Sequence, residues 1–92
     1  MQKTHDLKLI NGTYLPEEAT AILLNLYDKK ISFHVLQEFS TQICKGKSDL
    51  NSVERIPELQ ADIKTIKGII AEAKKYNQKL TVKSVLQIEL SS

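Results

Sequence analysis

The clearest pattern of apolar and polar positions runs from Ser52 to Lys75. Large apolar residues recur there at alternating spacings of three and four, which places them along one side of an α-helix: Ile56, Leu59, Ile63, Ile66, Ile70 and Ala73. Ile69 widens this stripe near its end, as a globular core requires and a narrow coiled-coil seam does not. Pro57 removes an interior hydrogen bond, so the helix is predicted to kink or to begin near it. We interpret this segment as the core helix, which needs a second apolar surface to cover it.

The N-terminal segment alternates in the manner of a half-buried strand. Residues His5–Ile10 place Leu7 and Leu9 on one face and polar residues on the other. Asn11-Gly12 follows at once, and this pair between apolar residues is the strongest short signal for a type I′ hairpin turn. The sequence therefore predicts a turn there and a short return strand over Thr13–Leu15.

Two helices are predicted between this hairpin and the core helix. Pro16 suits a first helical position, acidic residues follow it, and apolar residues then repeat at helical spacing, which predicts a helix over about 16–30. Residues 31–44 fit either a helix or a strand, because apolar residues there match both periods. We favour a short helix over about 33–43, which Gly46 would terminate, and we expect Asn77 to terminate the core helix in a left-handed conformation.

The C-terminal segment Leu80–Leu90 carries apolar residues on even positions and polar residues on most odd ones, which predicts a strand. It is about twice as long as either N-terminal strand, so part of its edge is expected to lack a partner within the chain. An open edge of that length invites strand addition by another chain. The candidate interface residues are Val82, Ser84, Leu86, Ile88 and Ile69.

These elements predict a single α+β domain over residues 1–92. The order is strand, short strand, helix, short helix, long helix and strand, written β-β-α-α-α-β, with the helices on one face of a small sheet in which the terminal strands are neighbours. So small a sheet is near the lower limit for independent stability. We therefore expect a homodimer.

Composition narrows the class of protein without naming a function. Of the 92 residues 41% are hydrophobic, and 13 basic against 11 acidic residues give a net charge of +2. No apolar run could span a membrane, and the N-terminus lacks the features of a secretory signal, so the cytoplasm is expected. Cys44 is the only cysteine, which excludes an intrachain disulfide and fits a reducing compartment. We expect Cys44 to be a small buried hydrophobic residue.

Few residues offer chemistry. His34 and Glu38 stand four apart and would share a helix face, as two metal ligands or an acid–base pair do, but no third partner lies at a motif spacing. Cys44 would need tertiary folding to approach His34. No glycine-rich phosphate loop, nucleophile elbow or zinc-protease motif is present. We predict no enzyme activity, no catalytic residues, no metal and no cofactor, and interpret His34 as a structural histidine with satisfied hydrogen bonds.

Two functions of different classes follow. The first is a small self-associating interaction or structural module, and the second is a nucleic-acid-associated accessory protein that uses the lysine-rich C-terminal third. Lysines on the polar side of the core helix and beyond it support the second: Lys64, Lys67, Lys74, Lys75, Lys79 and Lys83. The first is favoured, because acidic residues lead the same helix and an acid-first, base-last order is common on solvated helices.

Overall fold

A computed structural model describes residues 4–91. Its four elements follow in the order β1 (Thr4–Tyr14), α1 (Pro16–Lys45), α2 (Leu50–Lys75) and β2 (Leu80–Glu89). The two strands form an antiparallel sheet, and the two helices form a hairpin against it. The α+β class is confirmed, but the predicted order of six elements is wrong, because four longer elements replace them.

The predicted turn at Asn11-Gly12 is wrong, since both residues lie inside the continuous strand β1. Asn11 pairs with Lys83 and Gly12 pairs with Val82, and neither residue has the positive φ that a type I′ turn requires. Pairing with β2 therefore overrides the local turn signal. A Cβ built at Gly12 would lie 2.9 Å from the Tyr14 hydroxyl oxygen, so a larger residue there would require the end of the Tyr14 side chain to shift.

A bulge in β1 sets which residues face the helices. Leu9 is the additional residue, since Lys8 pairs with Val85 and Ile10 pairs with Ser84. This shift brings Ile10 onto the same face as Leu7, although the two are three positions apart. Leu9 itself has no partner in β2, so the simple alternation predicted over residues 5–10 is interrupted there.

The paired length of the sheet corrects the expectation that β2 is much longer than its partner strand. Because β1 is one strand of 11 residues, its residue Thr4 pairs with Glu89 near the end of β2. Each strand retains one outer edge that no described residue pairs with. The two edges of the sheet are thus equally open.

The predicted helices over 16–30 and 33–43 are one helix, α1, of 30 residues. Neither glycine nor proline interrupts it after its first residue Pro16, so nothing in the sequence breaks the helix between the two predicted segments. Glu18 accepts a hydrogen bond from the Leu15 amide at 2.9 Å, and the helix ends at Gly46, whose φ is 66°. The Gly46 prediction is confirmed, and the segment of mixed periodicity is helical.

Helix α2 contains Pro57 without a break and ends where the sequence predicted. Asn77 has a φ of 53°, and the Gln78 amide donates to the Ala73 carbonyl oxygen at 2.8 Å. The predicted stripe faces inward, since Leu59, Ile70 and Ala73 are buried and three isoleucines are half-buried, namely Ile56, Ile63 and Ile66. Ile69 is exposed, so the expectation that it widens the core stripe is wrong. The three buried residues of α2, with Ile10 from β1 and Ala19 from α1, form the buried apolar core.

Candidate functional site

A buried polar cluster joins the two helices near the α1–α2 connection. His34 of α1 and Ser52 of α2 are 4% and 1% exposed, respectively, and the His34 Nδ1 lies 2.9 Å from the Ser52 Oγ. The Ser52 hydroxyl donates to the Asp49 carboxylate at 2.8 Å. Because that hydroxyl has a single proton, His34 donates its Nδ1 proton to Ser52.

Glu38 does not join His34, although the two share a helix face. One of its carboxylate oxygens accepts the Asp49 amide proton at 2.7 Å, and the other accepts from the Gln42 side chain at 2.8 Å. Glu38 thus holds the start of α2 against α1, and the acid–base pair considered from the sequence is not formed.

The order of hydrogen bonds in the cluster differs from that of a nucleophilic triad. In such a triad a carboxylate orients histidine, and histidine accepts the serine proton, whereas here the Ser52 proton is directed to Asp49. The His34 Nε2 is buried and has no hydrogen-bond partner among residues 4–91, so the prediction of a fully satisfied histidine holds for only one ring nitrogen. The cluster can fix the helices relative to each other, and its serine is inaccessible to a substrate.

The other candidate ligands remain apart. Within the described residues no group of three or more histidine, cysteine, aspartate or glutamate side chains is placed to hold a metal ion. Cys44 is exposed and unpaired, so the expectation of a buried cysteine is wrong. It lies near the exposed end of α1, beyond the part of the helix that α2 covers.

A second contact between the helices lies nearer their middle. The Tyr27 hydroxyl donates to the Asp62 carboxylate at 3.1 Å. Partial burial raises the pKa of Tyr27 above its usual value of 10.0, and the hydrogen bond and negative charge of Asp62 raise it further. This contact helps to fix which face of α1 points toward α2.

The most unusual property of the molecule is its exposed surface. The accessible area is 7331 Å², whereas a compact monomer of this mass exposes about 5,400 Å². The radius of gyration is 16.7 Å, against about 12 Å for a compact domain of this length. The chain alone thus leaves about 1,900 Å² more surface open than a compact monomer does.

Much of that surface is apolar, and it includes a second stripe along α1. Phe33, Leu36, Phe39 and Ile43 recur at helical spacing in its C-terminal half and are 50%, 67%, 61% and 66% exposed. We call these four residues the outer stripe. Since one residue advances about 100° around a helix, Leu36 and Ile43 lie nearly opposite His34, which faces α2. Within residues 4–91 none of the four outer-stripe side chains is buried, although the Lys30 Nζ lies 5.1 Å from the centroid of the Phe33 ring.

The sequence-predicted interface residues divide into two groups. Val82 and Ser84 are half-buried on the sheet face that packs on the helices, where Val82 lies beside Leu23 and Ile66. Leu86, Ile88 and Ile69 are exposed. Of the five predicted residues, these three are the ones accessible to a partner.

The lysines that suggested nucleic-acid binding are also exposed. On α2 they lie on the side away from the core, and Lys83 lies on the sheet face that the helices leave open. This placement fits a solvated surface and a phosphate-binding surface equally well.

Two negative findings complete the description. Neither α1 nor α2 contains a segment of the length and hydrophobicity needed to cross a membrane. Comparison of the chain with family models, with curated proteins and with solved structures finds no match.

Proposed function

We propose that this protein is a small self-associating interaction or structural module without catalytic activity, and that the partner is a second copy of the same chain. The observation that carries the proposal is the surface of 7331 Å², about 1,900 Å² in excess of a compact monomer. A stable protein–protein interface buries about 800 Å² on each partner. The excess is therefore more than sufficient for a dimer.

The composition of the exposed surface supports the same proposal. Seventeen large apolar side chains are exposed within the described residues, whereas five apolar residues are buried. Soluble monomers rarely expose contiguous apolar patches of more than a few hundred Å². Association would remove this surface from water and supply the second apolar surface that so small a core requires.

Strand addition remains one route to the dimer. Both outer edges of the sheet are open, and the exposed side chains of Leu86 and Ile88 lie beside the β2 edge. The strands do not favour one edge over the other, because β1 with 11 residues is about as long as β2 with 10. The strand edge and the outer stripe of α1 are therefore rival interfaces for the same proposed function.

Light scattering across a concentration series tests the proposal. We expect a mass of twice 10.4 kDa at micromolar concentration. We also expect a thermal midpoint that rises with protein concentration, because association stabilises the folded state by mass action. A mass of one chain over the whole range, with a constant midpoint, would refute self-association.

A further inference from the structure

We infer that the outer stripe of α1 is the centre of the interface between two copies, and that the two α1 helices pack against each other there in antiparallel orientation. The stripe consists of Phe33, Leu36, Phe39 and Ile43. This inference rests on the proposed self-association and names the surface that performs it.

The distribution of polar and apolar residues at this end of α1 is the first argument. The side chains that point toward α2 are polar, namely His34 and Glu38, and both hydrogen-bond to the α2 segment or its cap. The apolar side chains point the other way, into solvent. A helix that is apolar on the side away from its own fold is stable in water when another surface covers that side.

The composition of the outer stripe is the second argument. Positions on this side of α1 between Ser32 and Ile43 carry the four apolar residues and two serines, Ser32 and Ser40, and no charged residue. Interface centres are depleted in charge and enriched in aromatic residues. Small serines also permit close approach of two helices.

Self-complementarity is the third argument. In an antiparallel pair related by a two-fold axis near Glu38, Phe33 of one copy lies level with Ile43 of the other, and Leu36 lies level with Ser40. The large Leu36 is then matched with the small Ser40, whereas Phe33 and Ile43 place two large apolar residues level with each other. Lys29, seven residues before Leu36, lies on the same side of α1 just beyond the stripe, where it remains at the solvated rim.

An aspartate at the centre of the outer stripe tests the location. Leu36→Asp places a charge at a side chain that is 67% exposed, so the variant should still fold. Circular dichroism should show that its helical content is unchanged. If Leu36 is buried between two copies, the dissociation constant should rise by about 30-fold or more. The matched control is Gln37→Asp, which places the same charge one residue further on, about 100° around the helix, and should leave the constant within about threefold.

A second variant tests the rival interface at the β2 edge. Ile88→Asp changes an exposed apolar residue of β2 and should leave the dimer intact. A dimer that survives Leu36→Asp but not Ile88→Asp would overturn the inference and leave self-association standing. A wild-type protein that is monomeric at every concentration would instead overturn the proposed function itself.

Cysteine crosslinking tests the orientation. In the antiparallel arrangement the two copies of Cys44 lie about 18 Å apart along the helix axes, whereas two cysteines at position 40 lie about 6 Å apart. A short bis-maleimide should therefore leave the wild-type protein uncrosslinked through its exposed Cys44. It should link the variant Ser40→Cys/Cys44→Ser into covalent dimers. Efficient crosslinking of wild type through Cys44, or none at position 40 in a protein that is dimeric, would overturn the antiparallel arrangement.

Discussion

Removing the Ser52 hydroxyl tests whether the buried polar cluster fixes the two helices. In Ser52→Ala the His34 Nδ1 loses the acceptor that lies 2.9 Å away, at a position that is 4% exposed. Water cannot replace that acceptor without a rearrangement, and a buried donor left unpaired costs about 1–3 kcal/mol. Asp49 is half-buried, and its carboxylate can recover a water molecule, so it contributes less to the loss.

The expected result is a lower thermal midpoint at fixed protein concentration. A change of 1 kcal/mol shifts the midpoint of a domain of this size by about 4–8 °C, so Ser52→Ala should lower it by roughly 5–20 °C. Circular dichroism at 222 nm measures the transition. The matched control is Ser48→Ala in the same connection, where the serine is exposed, and the expected change is below about 0.5 kcal/mol.

A double-mutant cycle separates the hydrogen bond from its neighbours. His34→Leu combined with Ser52→Ala removes both partners and leaves no unpaired ring N–H, so it should cost less than the sum of the two single changes by about 0.5–1.5 kcal/mol. Equal midpoints for Ser52→Ala and Ser48→Ala, or strict additivity in the cycle, would contradict the assignment of the cluster as the lock between the helices.

Three further predictions concern the backbone, the α1–α2 contact and the charged surface. Gly46→Ala should destabilise the folded protein by about 1–2 kcal/mol, because Gly46 has a φ of 66°. Gly68→Ala should stabilise it by up to about 1 kcal/mol, because Gly68 lies within α2 with open space around it. Urea unfolding measures both changes, and equal effects would contradict the argument. Absorbance at 295 nm should show Tyr27 ionising above pH 10.0, with a lower pKa in Asp62→Asn. The protonated hydroxyl is favoured by folding, so its contribution to stability is complete below the unfolded pKa and disappears as pH rises through the folded pKa. Replacement of the exposed Lys64, Lys67 and Lys74 together by Gln should change the unfolding free energy by less than about 1 kcal/mol. Tight, salt-dependent DNA or RNA binding by the parent protein that this replacement abolishes would instead favour the nucleic-acid function.

The sequence predicts the core helix and the final turns of α1 and α2 well, because these depend on local signals. The stripe of α2 needs only helical spacing, and Gly46 and Asn77 terminate helices through their own backbone preferences. The Asn11-Gly12 turn fails for the opposite reason. Its local preference competes with pairing to β2, which lies some seventy residues away in the sequence, and a short-range signal contains no information about that strand.

The outer stripe illustrates a second limit of the sequence. Leu36, Phe39 and Ile43 are visible as apolar residues at helical spacing, but a short separate helix would have turned them toward the core. Their outward direction follows from the continuity of α1, which fixes their angle relative to residues such as Leu23, which lies beside Val82 of β2. If residues 16–45 are treated as one unbroken helix, the sequence does show apolar positions on two sides of it. Without that knowledge the second side cannot be distinguished from a core-facing stripe.

The buried polar cluster and the outer stripe are two consequences of the same arrangement. Because His34 and Glu38 occupy the side of α1 that faces α2, the apolar residues of that half of the helix have only the outer side available to them. Hydrogen bonds have specific directions, so the cluster sets the rotation of α1 about its axis more sharply than apolar contacts would. That rotation determines the line along which Phe33, Leu36 and Ile43 lie. In the proposed dimer the cluster therefore orients the surface that a second copy covers, and a change at Ser52 should weaken association as well as folding.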